Sequence, residues 1–163
     1  MFRTVLNDST AAHLKRNPGM YAAAASATHH PETTRVLTAT AEEGTDVVRF
    51  LVSRETAGRF LSAADAGGRA CIVAASLADY ETLQYKGELL EVRDANDDEI
   101  AALHRSVDAF CALVGHVGID PTRYRAHLEV APFATLRLRV DSVFDQTPRV
   151  GAGELVSTPG GQP

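Results

Sequence analysis

Alternation of apolar and polar side chains predicts a chain built mainly of β-strands. In the most regular segment, Leu83 and Tyr85 fall on one side of an extended chain, and Gln84 and Lys86 fall on the other. A period of two residues is typical of a strand with one buried face. This pattern, together with β-branched content, predicts six strands, over residues 20–28, 34–40, 46–52, 70–77, 82–93 and 134–144.

A period of three and four residues marks the helices. The strongest helical signal follows Asn96, a residue type that caps helices, and acidic residues in the first turn suit the positive end of the helix dipole. Shorter helices are predicted between residues 8 and 17, over about 55–66, and from residue 120 onward. The long helix has an apolar stripe at Ile100, Leu103, Val107, Phe110 and Val114.

The order of these elements predicts the fold class. The strands follow one another through short turns, and crossover helices are too few for a parallel doubly wound sheet. The sequence therefore favours an α+β fold that is mainly β, a six-stranded antiparallel barrel with flanking helices. We expect a single domain over residues 1–153 and an irregular tail over residues 154–163, which are rich in glycine and proline.

Composition and charge exclude several classes of function. The chain has 163 residues, 45% of them hydrophobic, which is enough for one domain with its own core. A net charge of −5 without any basic block argues against nucleic-acid binding. No segment approaches the ~18 apolar residues of a membrane span, and the first residues lack the pattern of a signal peptide. We expect a cytoplasmic protein that does not bind membranes.

The sequence predicts no metal site and no disulfide. Cys71 and Cys111 form no CxxC motif, and each lies in a segment predicted to pack in the interior. His29 and His30 lie in a predicted turn without a carboxylate or cysteine at ligand spacing, so solvated histidines are the simpler interpretation.

The pair Ser53 and Arg54 is a candidate anion site, because it joins a predicted strand to a predicted helix. Unpaired N–H groups in the first turn of a helix attract negative charge, and a guanidinium adds a forked donor. Arg35 and Arg49, on neighbouring predicted strands, could lie beside the same site. The alternative is that Ser53 only caps the helix and Arg54 is solvated.

Gln84 and Lys86 form a polar face on an otherwise apolar strand, directly before Gly87. Such a face indicates either exposure to solvent or a cavity that holds a polar ligand. A strand glycine often marks a place where a ligand or another backbone comes close. The pattern leaves both interpretations open.

Three segments in combination resemble the pyridoxamine 5'-phosphate oxidase-like family of FMN-binding split-barrel proteins. They are residues 35–38 (RVLT), 50–55 (FLVSRE) and 83–87 (LQYKG), and residues 143–148 (VFDQTP) look like the end of one branch of that family. The resemblance covers nearly the whole chain. It implies a split barrel that forms a homodimer, with FMN in a groove at the dimer interface.

The resemblance also implies a phosphate site. Arg35, Ser53 and Arg54 match positions that hold the flavin phosphate. Two positions depart from the family: Glu55 and Thr38 stand where its oxidases often carry lysine. Each lost charge-assisted hydrogen bond costs about 1.5–3 kcal/mol, so we expect weaker binding of FMN than in those oxidases.

Further matching positions lie near the rest of the flavin. Thr38 and Val52 match residues beside the ribityl chain or the ring. Gln84 matches a glutamine that reaches the flavin from the fifth strand, and Lys86 is its neighbour. No catalytic residue is assigned, because the positions that grip pyridoxamine phosphate in the oxidases have no clear match.

Three functional hypotheses follow. The first is a flavin-dependent oxidoreductase that acts on an unidentified small substrate. The sequence has no evident triad or carboxylate pair, as expected where the cofactor supplies the redox chemistry. The second is a non-catalytic protein that binds or senses flavin, haem or another planar ligand on the same dimeric barrel. The third is a dimeric interaction module without a ligand.

Overall fold

The computed structural model describes residues 5–16, 18–26 and 28–158. The helices in these residues are α1 (Asp8–Leu14), α2 (Gly58–Gly67), α3 (Asp97–His116) and α4 (Pro121–Leu128). The strands are β1 (Gly19–Ala25), β2 (Pro31–Val36), β3 (Thr38–Ala41), β4 (Val47–Ser53), β5 (Arg69–Ala75), β6 (Thr82–Asp94), β7 (Phe133–Asp145) and β8 (Leu155–Ser157). No helix among them is long and apolar enough to cross a membrane.

One antiparallel sheet contains all of these strands. Its order is β2-β1-β5-β6-β7-β4-β3, and β8 pairs with β7. The outermost strands of this order, β2 and β3, are consecutive in the chain and separated by Leu37 alone. One bent segment therefore pairs with β1 through its first half and with β4 through its second half. The sheet is curled, and the predicted antiparallel barrel with flanking helices is confirmed.

The number of strands differs from the six predicted. The predicted strand at residues 34–40 is divided at Leu37 into β2 and β3, because the chain changes partners there. Strand β8 is an addition, and it lies in the segment 154–163 for which the sequence predicts an irregular chain. Its pairing with β7 and a hydrogen bond from the Ser157 hydroxyl to the Val5 carbonyl hold it in place. The predicted tail beyond residue 158 lies outside the described residues.

The interior of the barrel is apolar and closely packed. Alternate residues of the strands point inward, so that Phe50, Ile72 and Leu136 are fully buried. Phe60 of α2 closes one side of this core. Tyr85 is also fully buried, and its hydroxyl donates a hydrogen bond of 2.8 Å to the Thr10 carbonyl in α1. Helix α1 is thus tied to the sheet.

A second apolar cluster lies outside the barrel, under α3. The stripe predicted for this helix is confirmed, since Leu103 and Val107 are buried against Leu51 and Phe133 of the sheet. The predicted cap is also present: the Asn96 side chain accepts from the backbone of residue 99. Helix α3 therefore covers the outer face of β3 and β4.

Candidate functional site

A cavity of about 240 Å³ lies between the end of α1, the bend from β2 to β3, and α3. Two of the residues predicted for the site, Arg35 and Thr38, line it. Lys15 and Ser106 add polar groups, and the remaining lining is mostly apolar. The structure thus brings together one part of the predicted site.

Arg35 has no counter-ion among the described residues around this cavity. Its guanidinium carbon lies 4.9 Å from the ring centroids of both Tyr21 and Phe110, so cation–π contacts hold it. Among the described residues, its buried Nε has no hydrogen-bond partner, and no carboxylate lies within 4.0 Å of the guanidinium. The other arginines of the described chain that lack such a partner are exposed: Arg59, Arg105 and Arg123. Arg35 is therefore free to bind an anion.

Thr38 links the sheet to α3. Its hydroxyl lies 2.9 Å from the Ser106 hydroxyl, and either group can donate the hydrogen bond. Thr38 is also largely buried. Thr38, which stands where the oxidases often carry a lysine, thus connects α3 to β3 through this hydrogen bond.

A second cavity, of about 250 Å³, adjoins the first. Thr38 and Thr40 line both cavities, and Arg49 and Asp98 line the second one alone. We call the two cavities together the α3 groove. Each is smaller than the roughly 300–1,000 Å³ of typical small-molecule pockets, so a ligand of cofactor size needs more space than either one offers.

A buried carboxylate fixes the start of α3 at this groove. Glu99 is 7% exposed, and its oxygens accept two hydrogen bonds from Arg93 (2.7 and 2.8 Å), one from the Thr135 hydroxyl (2.8 Å) and one from the Asn96 backbone (3.0 Å). The Arg93 guanidinium, with these other donors, lowers the pKa of Glu99 to about 2. Glu99 is therefore ionised at neutral pH and anchors the helix to β6 and β7.

The end of β4 is built differently from the prediction. Residues 54–56 form a turn, α2 begins only at Gly58, and no side chain caps it. The prediction that Ser53 caps this helix is wrong, because the turn separates the strand from the helix. The anion site predicted at a direct junction of strand and helix is not assembled in this way.

The predicted residues around this turn lie away from the α3 groove. Val52 is fully buried inside the barrel, and Ser53 is buried with its hydroxyl unpaired among the described residues. Arg54 forms an ion pair with Asp94, with Nε and Nη2 at 2.9 and 2.8 Å from Oδ1. The predicted roles of these three residues at a flavin stay predictions.

Glu55 is exposed on the turn and lines neither cavity of the α3 groove. Its charge therefore does not face the position of Arg35. The departure from the family at this position leaves the groove unaffected.

Gln84 and Lys86 lie in a shallow depression of about 660 Å³ on the outer face of β1, β5 and β6. The side-chain oxygen of Gln84 accepts a hydrogen bond of 3.1 Å from the side-chain amide of Gln146. The Lys86 ammonium lies 4.4 Å from the ring centroid of Phe144. This depression shares no lining residue with the α3 groove. In a single chain, the two parts of the predicted site do not meet.

Sequence reasoning missed several residues that line the groove or contact Arg35. Tyr21 carried no signal, and Phe110 was assigned only to the core stripe of α3. Ser106 offered a usable signal: it lies three residues after Leu103 and four before Phe110, on the buried face of the helix. A hydroxyl on an apolar helix face indicates a hydrogen-bond partner there.

Comparison with solved structures identifies the fold. A pyridoxamine 5'-phosphate oxidase-related, FMN-binding protein from Nostoc punctiforme matches with a TM-score of 0.55, covering 99% of this chain and 100% of its own, at 15% identity. The split barrel is the fold of this chain. A protein from Clostridium acetobutylicum, of the pyridoxinephosphate oxidase family and related to general stress protein 26, matches this split barrel with a TM-score of 0.52, covering 91% and 92%, at 10% identity.

An F420 reductase also shares the split barrel, with a TM-score of 0.54, covering 85% of this chain and 98% of its own, at 13% identity. No protein-family model matches the sequence, and no curated protein matches it. The resemblance found in the sequence is thus confirmed for the split-barrel fold. At these identities the likeness concerns the fold alone.

Proposed function

We propose that the protein binds FMN with its phosphate at Arg35 and acts as a flavin-dependent oxidoreductase on a small substrate. The observation that carries this proposal is the unpaired guanidinium of Arg35 in a mostly apolar cavity. A phosphate offers the oxygen acceptors that a guanidinium binds through charge-assisted hydrogen bonds. Relatives in fold that are described as FMN-binding proteins support the same ligand.

The residues of this chain would hold the cofactor and exclude water. Arg35 binds the phosphate, and the exposed ammonium of Lys15 at the same cavity adds positive charge. Apolar groups of α3 and β2 form a wall that keeps water from one side of the ligand. The bound flavin supplies electron or hydride transfer, and the protein supplies position and surroundings.

The proposal includes a homodimer. Gln84 and Lys86 match flavin-contacting positions, yet they lie outside the groove of their own chain. A second copy that covers the depression would bring these residues toward the groove of its neighbour. Several small residues, among them Ala25 and Cys71, leave this face flat enough to pack against a copy of itself.

The dimer is tested by introducing a charge on this face. Ala25 is exposed on β1, so Ala25→Glu is expected to fold normally and to sediment as a monomer at concentrations where the unaltered protein is a dimer. Sedimentation equilibrium measures this change. Val150→Glu, at a fully exposed position outside this face, is the control. A monomeric unaltered protein contradicts the proposed dimer.

The flavin site is tested by titrating the desalted protein with FMN, with the change in flavin fluorescence as the measure of binding. Arg35→Ala is expected to weaken binding by about tenfold or more, because a charge-assisted hydrogen bond contributes about 1.5–3 kcal/mol. Arg59→Ala removes an exposed arginine outside the groove and should leave the affinity unchanged. A protein that retains no FMN contradicts the proposal, and equal affinity of both variants removes Arg35 from the site.

The hydrogen bond between the Thr38 and Ser106 hydroxyls favours a second candidate function, in which the protein binds a planar ligand without catalysing a reaction. Thr38 leaves no lysine beside the position that matches the ribityl chain or ring. Anaerobic addition of a reduced nicotinamide separates the candidates. Bleaching of the flavin band supports the oxidoreductase, and an unchanged band with every nicotinamide supports the binding protein.

A further inference from the structure

Arg49 faces the second cavity of the α3 groove and has unused hydrogen-bond donors. It lies on β4, directly opposite Thr40 of β3 and Arg137 of β7. The guanidinium donates no hydrogen bond to any residue in the described part of the chain. The carboxylate nearest to it is Glu99, with Nη1 3.6 Å from Oε1, which is too long for a hydrogen bond.

Glu99 accepts four hydrogen bonds, and none of them comes from Arg49. One oxygen accepts from Arg93, and the other accepts from Arg93, the Thr135 hydroxyl and the Asn96 backbone. Arg49 thus gains only a Coulomb attraction from this carboxylate. Its forked N–H groups remain available at the cavity.

The charges around Arg49 nearly balance one another. Arg137 forms two hydrogen bonds with Glu42, of 2.9 and 2.7 Å, and it also lies 3.9 Å from Glu91. Arg93 pairs with Glu99, and Asp98 adds a further carboxylate to the lining. A site without a large excess of positive charge selects ligands by hydrogen-bond geometry more than by net charge. A guanidinium in such a site suits a planar oxygen acceptor.

We propose that the second cavity is a binding subsite for a carbonyl or carboxylate oxygen, and that Arg49 is the residue that holds this group. Thr38 and Thr40 connect this subsite to the cavity of Arg35, so the groove presents a guanidinium in each of its two cavities. The oxygen acceptor has two sources: a ring carbonyl of the bound flavin, or the carboxylate of a substrate. The first source rests on the proposed function, and the second does not.

The first test compares the unaltered protein with Arg49→Ala, Arg49→Lys and Arg139→Ala in the FMN titration. Arg139 is the matched control. It lies on β7 two residues from Arg137, on the same outer face of the sheet, pairs with Glu88 and lines neither cavity. If a flavin carbonyl occupies the subsite, Arg49→Ala weakens FMN binding about tenfold, and lysine restores it only in part. The visible flavin band and the midpoint potential shift as well.

The second test uses benzoate as a simple planar carboxylate. The side-chain Nε–H resonance of Arg49 is followed by NMR while benzoate is added to the protein without FMN and to the FMN complex. A saturable shift of the Arg49 resonance, with no shift of the Arg139 resonance, supports binding of a substrate carboxylate in the subsite. Arg49→Lys keeps the positive charge but loses the forked donor. Comparison of its melting temperature with that of the unaltered protein shows whether the variant is folded.

The outcomes separate this proposal from the proposed function. A protein that binds no FMN but shows the benzoate response retains the subsite and loses the flavin function. A protein that binds FMN equally well with and without Arg49, with unchanged spectrum and potential, and that shows no benzoate response overturns the subsite alone.

Discussion

Gly87→Ala is expected to lower the free energy of unfolding by roughly 3 kcal/mol or more. A Cβ at residue 87 would lie 2.7 Å from the carbonyl carbon of Arg139 and 2.9 Å from the Cα of Val140, and closer still to the Arg139 carbonyl oxygen. These atoms belong to the backbone of β7, which is held between β6 and β4. The strand cannot move away without breaking its ladder on one side.

Urea denaturation followed by circular dichroism measures this effect. Gly58→Ala is the matched control, because it lies at the start of α2 and no atom lies within 4 Å of its added Cβ. That variant should gain about 0.4–1 kcal/mol through reduced freedom of the unfolded chain. Equal stability of the two variants would contradict the close approach at the bulge between β6 and β7.

Glu99→Ala is expected to destabilise the protein by about 2–3 kcal/mol, because it leaves the buried Thr135 hydroxyl unpaired and removes the charge-assisted hydrogen bonds of the partly exposed Arg93. Arg93 loses two hydrogen bonds and the Thr135 hydroxyl loses one. The start of α3 also loses its capping box. Glu88→Ala removes a half-exposed ion pair with Arg139 and should cost about 1 kcal/mol or less. A loss for Glu99→Ala as small as that of the control would contradict the anchoring role.

The same carboxylate predicts a pH dependence. The hydrogen bonds from Arg93, the Asn96 backbone and Thr135 outweigh the opposing effect of burial and leave the folded-state pKa of Glu99 at about 2, below its ordinary value of 4.5. Its contribution to stability is therefore fully present above pH 4.5 and is lost as the pH falls toward 2. The difference in unfolding free energy between the unaltered protein and Glu99→Gln should shrink across this window. A constant difference from pH 6 to pH 2 would contradict the lowered pKa.

The fold was predictable because its main signals are local. Alternation along β6 and the spacing of apolar residues along α3 follow directly from the periods of two and 3.6 residues. Leu37 gave no such signal, because the division of one strand into β2 and β3 depends on which neighbours the chain meets. The turn before Gly58 was also missed, since a polar residue after a strand does not show how many residues precede the helix.

The candidate site was predictable only in part. Arg35 and Thr38 line one cavity because the chain bends between them at Leu37; on a straight strand, residues three apart would face opposite sides. Gln84 and Lys86 lie on another face, and no local pattern relates the two faces. Ser106 reaches Thr38 across 68 positions of the chain, so the groove arises from the packing of α3 and is invisible in a short segment.

The bent segment that closes the barrel also bears on how the protein folds. Its second half pairs with β4, and β4 in turn pairs with β7 at the far end of the chain. Topologies dominated by such distant pairings close late and fold in about milliseconds to seconds. The α3 groove exists only after that closure, because β3, β4 and α3 all contribute to its walls. A ligand held there therefore binds the closed barrel alone, and it stabilises the folded state by an amount that grows with the logarithm of its concentration.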